Sequence, residues 1–282
     1  FAHRISEKEL LNTLKFLIVA FVILPLLPNQ IMGPGEVFNP YQIWLMVVFI
    51  SAISFTGYIL MNFIGPEKGL GVTGIIGGLV SSTAVVTSMA SRVKESEFLM
   101  KAGVFATVVA SSMMFLRVLF EVSVINPTLT PYLLVPMLVM GVLGVILSII
   151  IWRRTEIRKM DAELELANPF SLKPAIIFGA LFLAILFFSK IANTYLGSGG
   201  VYLASIISGV ADVDAITISM ALLAPKTISN TTAVTAITLA SMSNTGFKFL
   251  IALFLGTTKF ARNVGLVFLV IIMSGFVAIL FI

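Results

Sequence analysis

Two carboxylates stand inside an apolar stretch that offers them no obvious partner. Asp212 and Asp214 lie among small and apolar residues, whereas all eleven other acidic residues fall in loops or at the ends of apolar segments. A carboxylate at a bilayer centre costs about 2.5–3.5 kcal/mol on insertion scales, so it demands a partner or a role. On a regular helix, residues two apart point about 200° away from each other. Both can face one site only across a broken backbone, and the preceding Ser208-Gly209 predicts that break. A similar stretch lies 131 residues earlier, where Gly77-Gly78 precedes Ser81, Ser82 and Thr83. Carboxylates and hydroxyls gathered in this way bind a cation or exchange a proton. Structurally, Ser81 and Asp212 read as N-caps of second half-helices. The two readings are compatible.

The correspondence is an internal duplication. Residues Gly74 to Ala90 fall on Ser205 to Ala221 without a gap, and seven of the 17 positions are identical. The same offset pairs Asn62 with Asn193, Thr107 with Thr238, Arg117 with Lys248 and Gly144 with Gly275. Unusual residues at matching places in two copies point to a transport site. Segment 231–252 adds a polar stripe of Thr231, Thr235, Thr238, Ser241, Asn244, Thr245 and Lys248. Small hydroxyl residues also serve simply to let helices approach. The Asn244 amide oxygen is a candidate cation ligand, with Ser241 and Thr238 beside it. Snorkelling to the headgroups explains Arg117 and Lys248. The sharper alternative is a salt bridge to Asp212 or Asp214, released when the site is occupied. Asn62 and Asn193 either cap helix ends or line the site.

Composition sets the environment. Hydrophobic residues make up 59% of the 282, charged residues 11%, and mean hydropathy is +1.09. A soluble domain carries about 25% charged residues, so this is a polytopic membrane protein with lipid as its first partner. Strand-like alternation is absent, which argues against a β-barrel. There is no cysteine, and the single histidine, His3, lies outside every apolar run. Thiol chemistry and an intramembrane histidine site are thereby excluded. The net charge of +5 sits in loops beside apolar segments, as topology rather than nucleic-acid binding requires. No Walker loop, His-Glu-x-x-His or nucleophile elbow is present. The expectation is therefore no enzyme and no cofactor beyond a bound cation. The chain starts at Phe1 without a signal-peptide pattern, which suggests part of something longer.

The apolar segments read as 11–27, 41–64, 70–90, 100–121, 131–152, 172–195, 201–222, 231–252 and 262–282. Residues 1–40 form an N-terminal helix and loop, 41–152 repeat one, 153–171 a charged cytoplasmic linker, and 172–282 repeat two. If all nine segments crossed, basic residues would be shared about equally between the two sides. If 70–90 and 201–222 instead enter and return, fourteen of the 18 basic residues become cytoplasmic. Lys190 and Lys226 then lie outside, and Arg117 and Lys248 lie within spans. The positive-inside rule favours this arrangement. Each repeat then crosses three times, so the copies are oppositely oriented and their re-entrant tips meet near the midplane. Two parallel four-helix repeats remain the alternative.

The chain resembles the membrane domain that follows an MgtC/SapB-type domain in bacterial and archaeal integral membrane proteins. The resemblance rests on His3-Arg4 ahead of the apolar run from Leu14 to Pro28, on Gly77-Gly78-Leu79-Val80-Ser81-Ser82-Thr83-Ala84, and on Ser208-Gly209-Val210-Ala211-Asp212-Val213-Asp214-Ala215. It implies a polytopic helical domain and carries little biochemistry. The magnesium-transport label of such proteins attaches to the MgtC-like half, whose acidic-basic Leu-Glu-Arg signature is not found in these residues. Magnesium is therefore not carried over, although an Asp212–Asp214 pair suits a hard metal cation.

The sequence thus points to an all-α secondary transporter of the prokaryotic inner membrane with a cytoplasmic N-terminus, built from two inverted repeats and one extra helix. Asp212 and Asp214 would bind a cation or proton, with Ser81, Ser82, Thr83 and Asn244 supplying neutral oxygens. Half-helix N-termini at the same place also suit an anionic substrate. An ion channel and a non-transporting membrane partner or sensor are the alternatives, and a homo-oligomer is left open.

Overall fold

In lipid, backbone N–H and C=O groups have no water to bond, so long apolar segments close their hydrogen bonds internally as helices. The computed structural model describes residues 7–32, 38–64, 69–153 and 172–281. Helix α1 (Glu7–Ile18) runs through a π-helical turn (Val19–Ile23) into α2 (Leu24–Leu26). There follow α3 (Pro40–Ile64), α4 (Gly69–Glu95), α5 (Met100–Ile125) and α6 (Thr130–Arg153). After the linker come α7 (Leu172–Ala211), α8 (Val213–Leu223), α9 (Asn230–Leu255) and α10 (Thr258–Ile279). Seven of these helices are long and apolar enough to cross a membrane. The expected all-α membrane bundle is therefore found, with no strand among the described residues beyond a bridge between Met32 and Phe38. Linker residues 154–171 and the side chain of Asn62 lie outside the described ones.

The helix breaks differ from expectation in an informative way. Gly77, Gly78, Ser208 and Gly209 all remain helical. The backbone leaves the helix three residues later, at Ser81 (φ −165°, ψ 100°) and Asp212 (φ −160°, ψ 118°). These breaks lie 131 residues apart and share one extended conformation. The glycines serve close packing instead. A Cβ on Gly78 would stand 2.6 Å from the Ala110 Cα, and one on Gly209 2.8 Å from the Ala240 Cα. Without a side chain, each half-helix lies directly against the backbone of its neighbour. A further difference concerns 172–195 and 201–222, which the sequence separates by a loop. The separation holds, but as a kink rather than a long loop: α7 is two helices that meet at the non-helical Gly197, whose φ of 59° suits only glycine without strain.

Side-chain contacts fix how the broken helices lie. Gly74 abuts Ala106 and Gly78 abuts Ala110, whereas past Ser81 it is Val93 and Met89 that abut Gly103. In the second half, Ser198 hydrogen-bonds Thr232 (3.3 Å), Ser243 donates to the Ile206 carbonyl (2.7 Å) and Asn244 Nδ2 to the Gly209 carbonyl (2.8 Å). Asn193 Nδ2 donates to the Thr227 carbonyl beyond α8 (3.1 Å). Asn126, in the α5–α6 turn, donates to the carbonyls of Ala221 and Ala224 at the end of α8 (both 3.0 Å). At the other end of α5, Glu97 pairs with Lys259 at the start of α10 (2.6 Å). The core between these elements is Phe115, Met137, Met140, Ile216, Phe260 and Phe268, all buried. Phe188, Leu266, Met273 and Phe276 face outward, as the lipid-facing surface of a membrane bundle requires.

Candidate functional site

Both breaks present their second half-helix to one place. Ser81 Oγ accepts a hydrogen bond from the Ala84 N–H (3.3 Å), and Asp212 Oδ1 accepts one from the Ala215 N–H (2.8 Å). These are N-caps three residues ahead of the donor, satisfying amides that a break leaves free. The structural reading of Ser81 and Asp212 is thus realised. Around them opens a cavity of about 330 Å³. Its walls include Ser81, Ser82 and Thr83 of the first break and Asp212 and Asp214 of the second. Helix α3 adds Ser51 and Ser54, α5 adds Met114 and Arg117, α7 adds Phe178, and α9 adds Asn244.

Arg117 ties the two breaks together. Its Nη2 lies 2.7 Å from Asp214 Oδ2, and its Nη1 donates to the carbonyls of Leu79 (3.1 Å) and Val80 (3.4 Å). Its Nε donates to Glu121 Oε1 at 3.0 Å. All three guanidinium nitrogens therefore face an oxygen, two through hydrogen bonds and Nη2 through the ion pair. Snorkelling does not describe this residue, because its side chain is 7% exposed. The salt bridge to Asp214 is the alternative that the geometry supports. The two carbonyls are the free C-terminal acceptors of the first half-helix, where a positive charge is most welcome.

Glu121 was not among the sequence candidates, because the apolar run 100–121 places it at a segment end. Helix α5 continues to Ile125, and Glu121 is fully buried, with Oε2 lacking any hydrogen-bond partner. The signal was present: Arg117 and Glu121 are four apart and so share a helix face. Ser51 and Ser54 were also missed. Their three-residue spacing within an apolar segment puts both on one face.

Other candidates lie apart from the cavity. Lys248 is fully buried with Nζ 3.0 Å from Met114 Sδ, behind the cavity wall. Thr238 donates to the Val234 carbonyl of its own helix (2.8 Å), and Ser241 Oγ lies 3.9 Å from Met137 Sδ. Both are buried packing groups rather than cavity walls. Asn193 joins α7, four residues before the Gly197 kink, to Thr227 in the turn that follows α8. Asn244 keeps its amide nitrogen on Gly209 and faces the cavity.

Five ionisable groups thus share one interior: Arg117 and Lys248 against Glu121, Asp212 and Asp214. Fully ionised, they carry one negative charge in excess. Buried charge without compensation is strongly unfavourable, so the arrangement calls for one added cation or proton. Among the described residues there is no group of three or more His, Cys, Asp or Glu side chains placed to hold a metal ion. Asp212 is engaged as a cap and Asp214 by Arg117.

The comparisons with known proteins place the chain in a recognised sequence family. The chain is 32% identical over 197 residues to an uncharacterized protein of Aquifex aeolicus (strain VF5), spanning 68% of this chain and 86% of that protein. No solved structure matches. Residues 48–256, which contain both helix breaks and every cavity residue named above, match the family described as a domain of unknown function (DUF4010), and the chain belongs to that family.

Proposed function

We propose that this protein is a cation- or proton-coupled secondary transporter whose site is the cavity between the two helix breaks. The observation that carries the reading is the pairing of Ser81 and Asp212: two extended residues 131 apart, both capping a second half-helix and both facing one polar cavity. Irregular backbone at membrane depth is tolerated where it lines a cavity, and transporters place such breaks at the substrate site.

The contact register supports two re-entrant hairpins. The first half of α4 runs with α5, since Gly74 and Gly78 meet Ala106 and Ala110, and the second half runs against it, since Val93 and Met89 meet Gly103. Helix α4 would then enter and leave at the Glu97–Lys259 end. The second half of α7 runs with α9 from Ser198–Thr232 to Gly209–Asn244, and α8 returns to Thr227 beside Asn193. That hairpin would enter and leave at the Asn126 end. Entry from opposite ends is what inverted repeats require. Arg92, Lys94, Lys101, Lys259 and Arg262 cluster at the first end, which the positive-inside rule makes cytoplasmic. Lys190 and Lys226 fall at the other. A bacterial or archaeal inner membrane suits this polarity. No chemical conversion is assigned to the site.

In this reading Asp214 and the hydroxyls of Ser51, Ser54, Ser82 and Thr83 receive the cation, and rocking one repeat against the other exposes it alternately. Purified protein in liposomes, tested with Na⁺, K⁺, Mg²⁺ and H⁺ gradients, should give saturable flux that Asp214→Asn abolishes. Flux untouched by both Asp212→Asn and Asp214→Asn would rule out this site. Unsaturable flux at channel rates would make the protein a pore.

A further inference from the structure

We propose that Glu121 carries the proton of this transport cycle and exchanges it, one for one, for a monovalent cation bound at Asp214, with Arg117 the common partner of both carboxylates. The proposal rests on the cavity being a cation site, and it adds the counter-ion, the charge class and the stoichiometry.

The geometry sets up the exchange. Arg117 is the one side chain among the described residues that touches Asp214, Glu121 and the first half-helix together. Asp214 lines the cavity, while Glu121 sits behind Arg117, off the cavity wall. Glu121 belongs to the same helix as Arg117, so it stays beside the guanidinium however the second break moves. Its Oε1 is bonded to Arg117, and its Oε2 is buried with no partner. A carboxylate leaves such an oxygen uncompensated, whereas the acid form carries a proton in place of the missing partner charge.

Charge counting then gives two equivalent states. With Arg117 bridged to Asp214, as the structure has it, one guanidinium cannot neutralise a second buried carboxylate, and Glu121 holds the proton. When a cation takes Asp214, Arg117 keeps only its existing bond to Glu121 as an ion pair, and the Glu121 proton leaves. Glu121-COOH plus M⁺ outside the site becomes Glu121-COO⁻ plus M⁺ on Asp214 plus one released H⁺. Net charge in the site is unchanged. A divalent cation would leave one positive charge uncompensated, so the site selects monovalent ions. Asp212 and Lys248 cancel in the count without touching each other: Asp212 caps the N-terminus of α8, and Lys248 Nζ lies on Met114 Sδ.

Among the described residues, no other charged group is placed to take the proton's role. On α4, Arg92, Lys94 and Glu95 lie in the last turns, at the Gly103 end of α5. On α10, Lys259 and Arg262 lie at the Glu97 end, and on α6 Arg153 lies at the end far from Glu121 while Tyr132 is exposed. From α8 and the residue before it come Asp214 and Asp212, and from α9 Lys248, all accounted for above. Helix α3, whose Phe49 stacks on Phe120, carries Tyr41 and Tyr58 and no acidic or basic residue.

The native chain has no cysteine, so a Phe178→Cys variant, at a wall residue that supplies no ligand, gives one reporter on the cavity. Alkylation of that thiol is followed with and without NaCl, KCl, LiCl or MgCl₂ across pH 5 to 9. One of the monovalent ions should protect it, with apparent affinity rising about tenfold per pH unit while Glu121 gives up its proton, since one proton leaves per ion bound. Adding Glu121→Gln, which keeps an oxygen for Arg117 Nε, should leave protection that is weak and flat with pH. Retention of the slope in Glu121→Gln overturns the proposal while leaving the cation site intact. Protection that survives Asp214→Asn removes the site itself. Absence of protection by all three monovalent ions, or stronger protection by Mg²⁺, also overturns the exchange.

Discussion

The two helix breaks have nearly the same backbone and opposite chemistry. Ser81 caps its half-helix with a neutral hydroxyl at 3.3 Å, and Asp212 caps the matching one with a carboxylate at 2.8 Å. The first repeat contributes a cation and an acid from its own α5, Arg117 and Glu121, while the second contributes Asp212, Asp214 and Lys248. The two stretches thus share a turn and differ in charge, and Arg117 beside the first reaches Asp214 of the second. The shared backbone is architectural; the unshared charge is where function is to be sought.

The largest expected effect comes from cutting the link between the copies. Arg117→Met leaves Asp214 and Glu121 buried without their common partner, which costs about 3–5 kcal/mol by the usual penalty for breaking a buried pair. Thermal unfolding in detergent should show a large fall in midpoint. Adding Glu121→Gln to that variant should restore part of it. A midpoint unchanged by Arg117→Met would mean that the bridge does not join the repeats.

The glycines test whether the copies are equivalent in packing. Gly78→Ala and Gly209→Ala each drive a methyl into a neighbouring helix backbone and should each cost about 1–3 kcal/mol. Gly246→Ala meets nothing within 4 Å and should be neutral or stabilising by up to about 1 kcal/mol. Chemical denaturation of the three variants separates close packing from flexibility. If all three behaved alike, the glycines would not be packing devices.

The smallest effects distinguish the caps. Asp212→Ala should cost about 1 kcal/mol, and Asp212→Asn much less, because asparagine caps nearly as well. Ser81→Ala should cost less than Asp212→Ala, given its longer and uncharged bond. Equal losses for the two alanine variants, read from unfolding midpoints, would show that the charge difference adds nothing to the cap.

Much of this was legible in the sequence. The 131-residue offset placed Ser81 and Asp212 at matching positions, and the cost of intramembrane carboxylates marked Asp212 and Asp214. The cavity indeed gathers Ser81, Ser82, Thr83, Asp212, Asp214 and Asn244. What failed had physical causes. Glycine pairs announce weak helix propensity, but sequence does not say which backbone lies against them, so the break falls three residues past them, at the Ser81 and Asp212 caps. A boundary four residues short hid Glu121, since a carboxylate at a segment end needs no partner. The stripe on α9 overcounted because Thr238 satisfies its hydroxyl on its own helix. Arg117 showed its helix position but not the partner across the repeat.

The opposed entry of the two broken helices is tested most directly by labelling from one side. Glu95 and Lys226, both exposed, follow the two broken helices, and the absence of native cysteine lets each be replaced by a single cysteine. A membrane-impermeant maleimide applied to sealed, right-side-out vesicles should label Lys226→Cys and spare Glu95→Cys, with the pattern reversed in inside-out vesicles. Labelling of both from the same side would contradict the inverted arrangement.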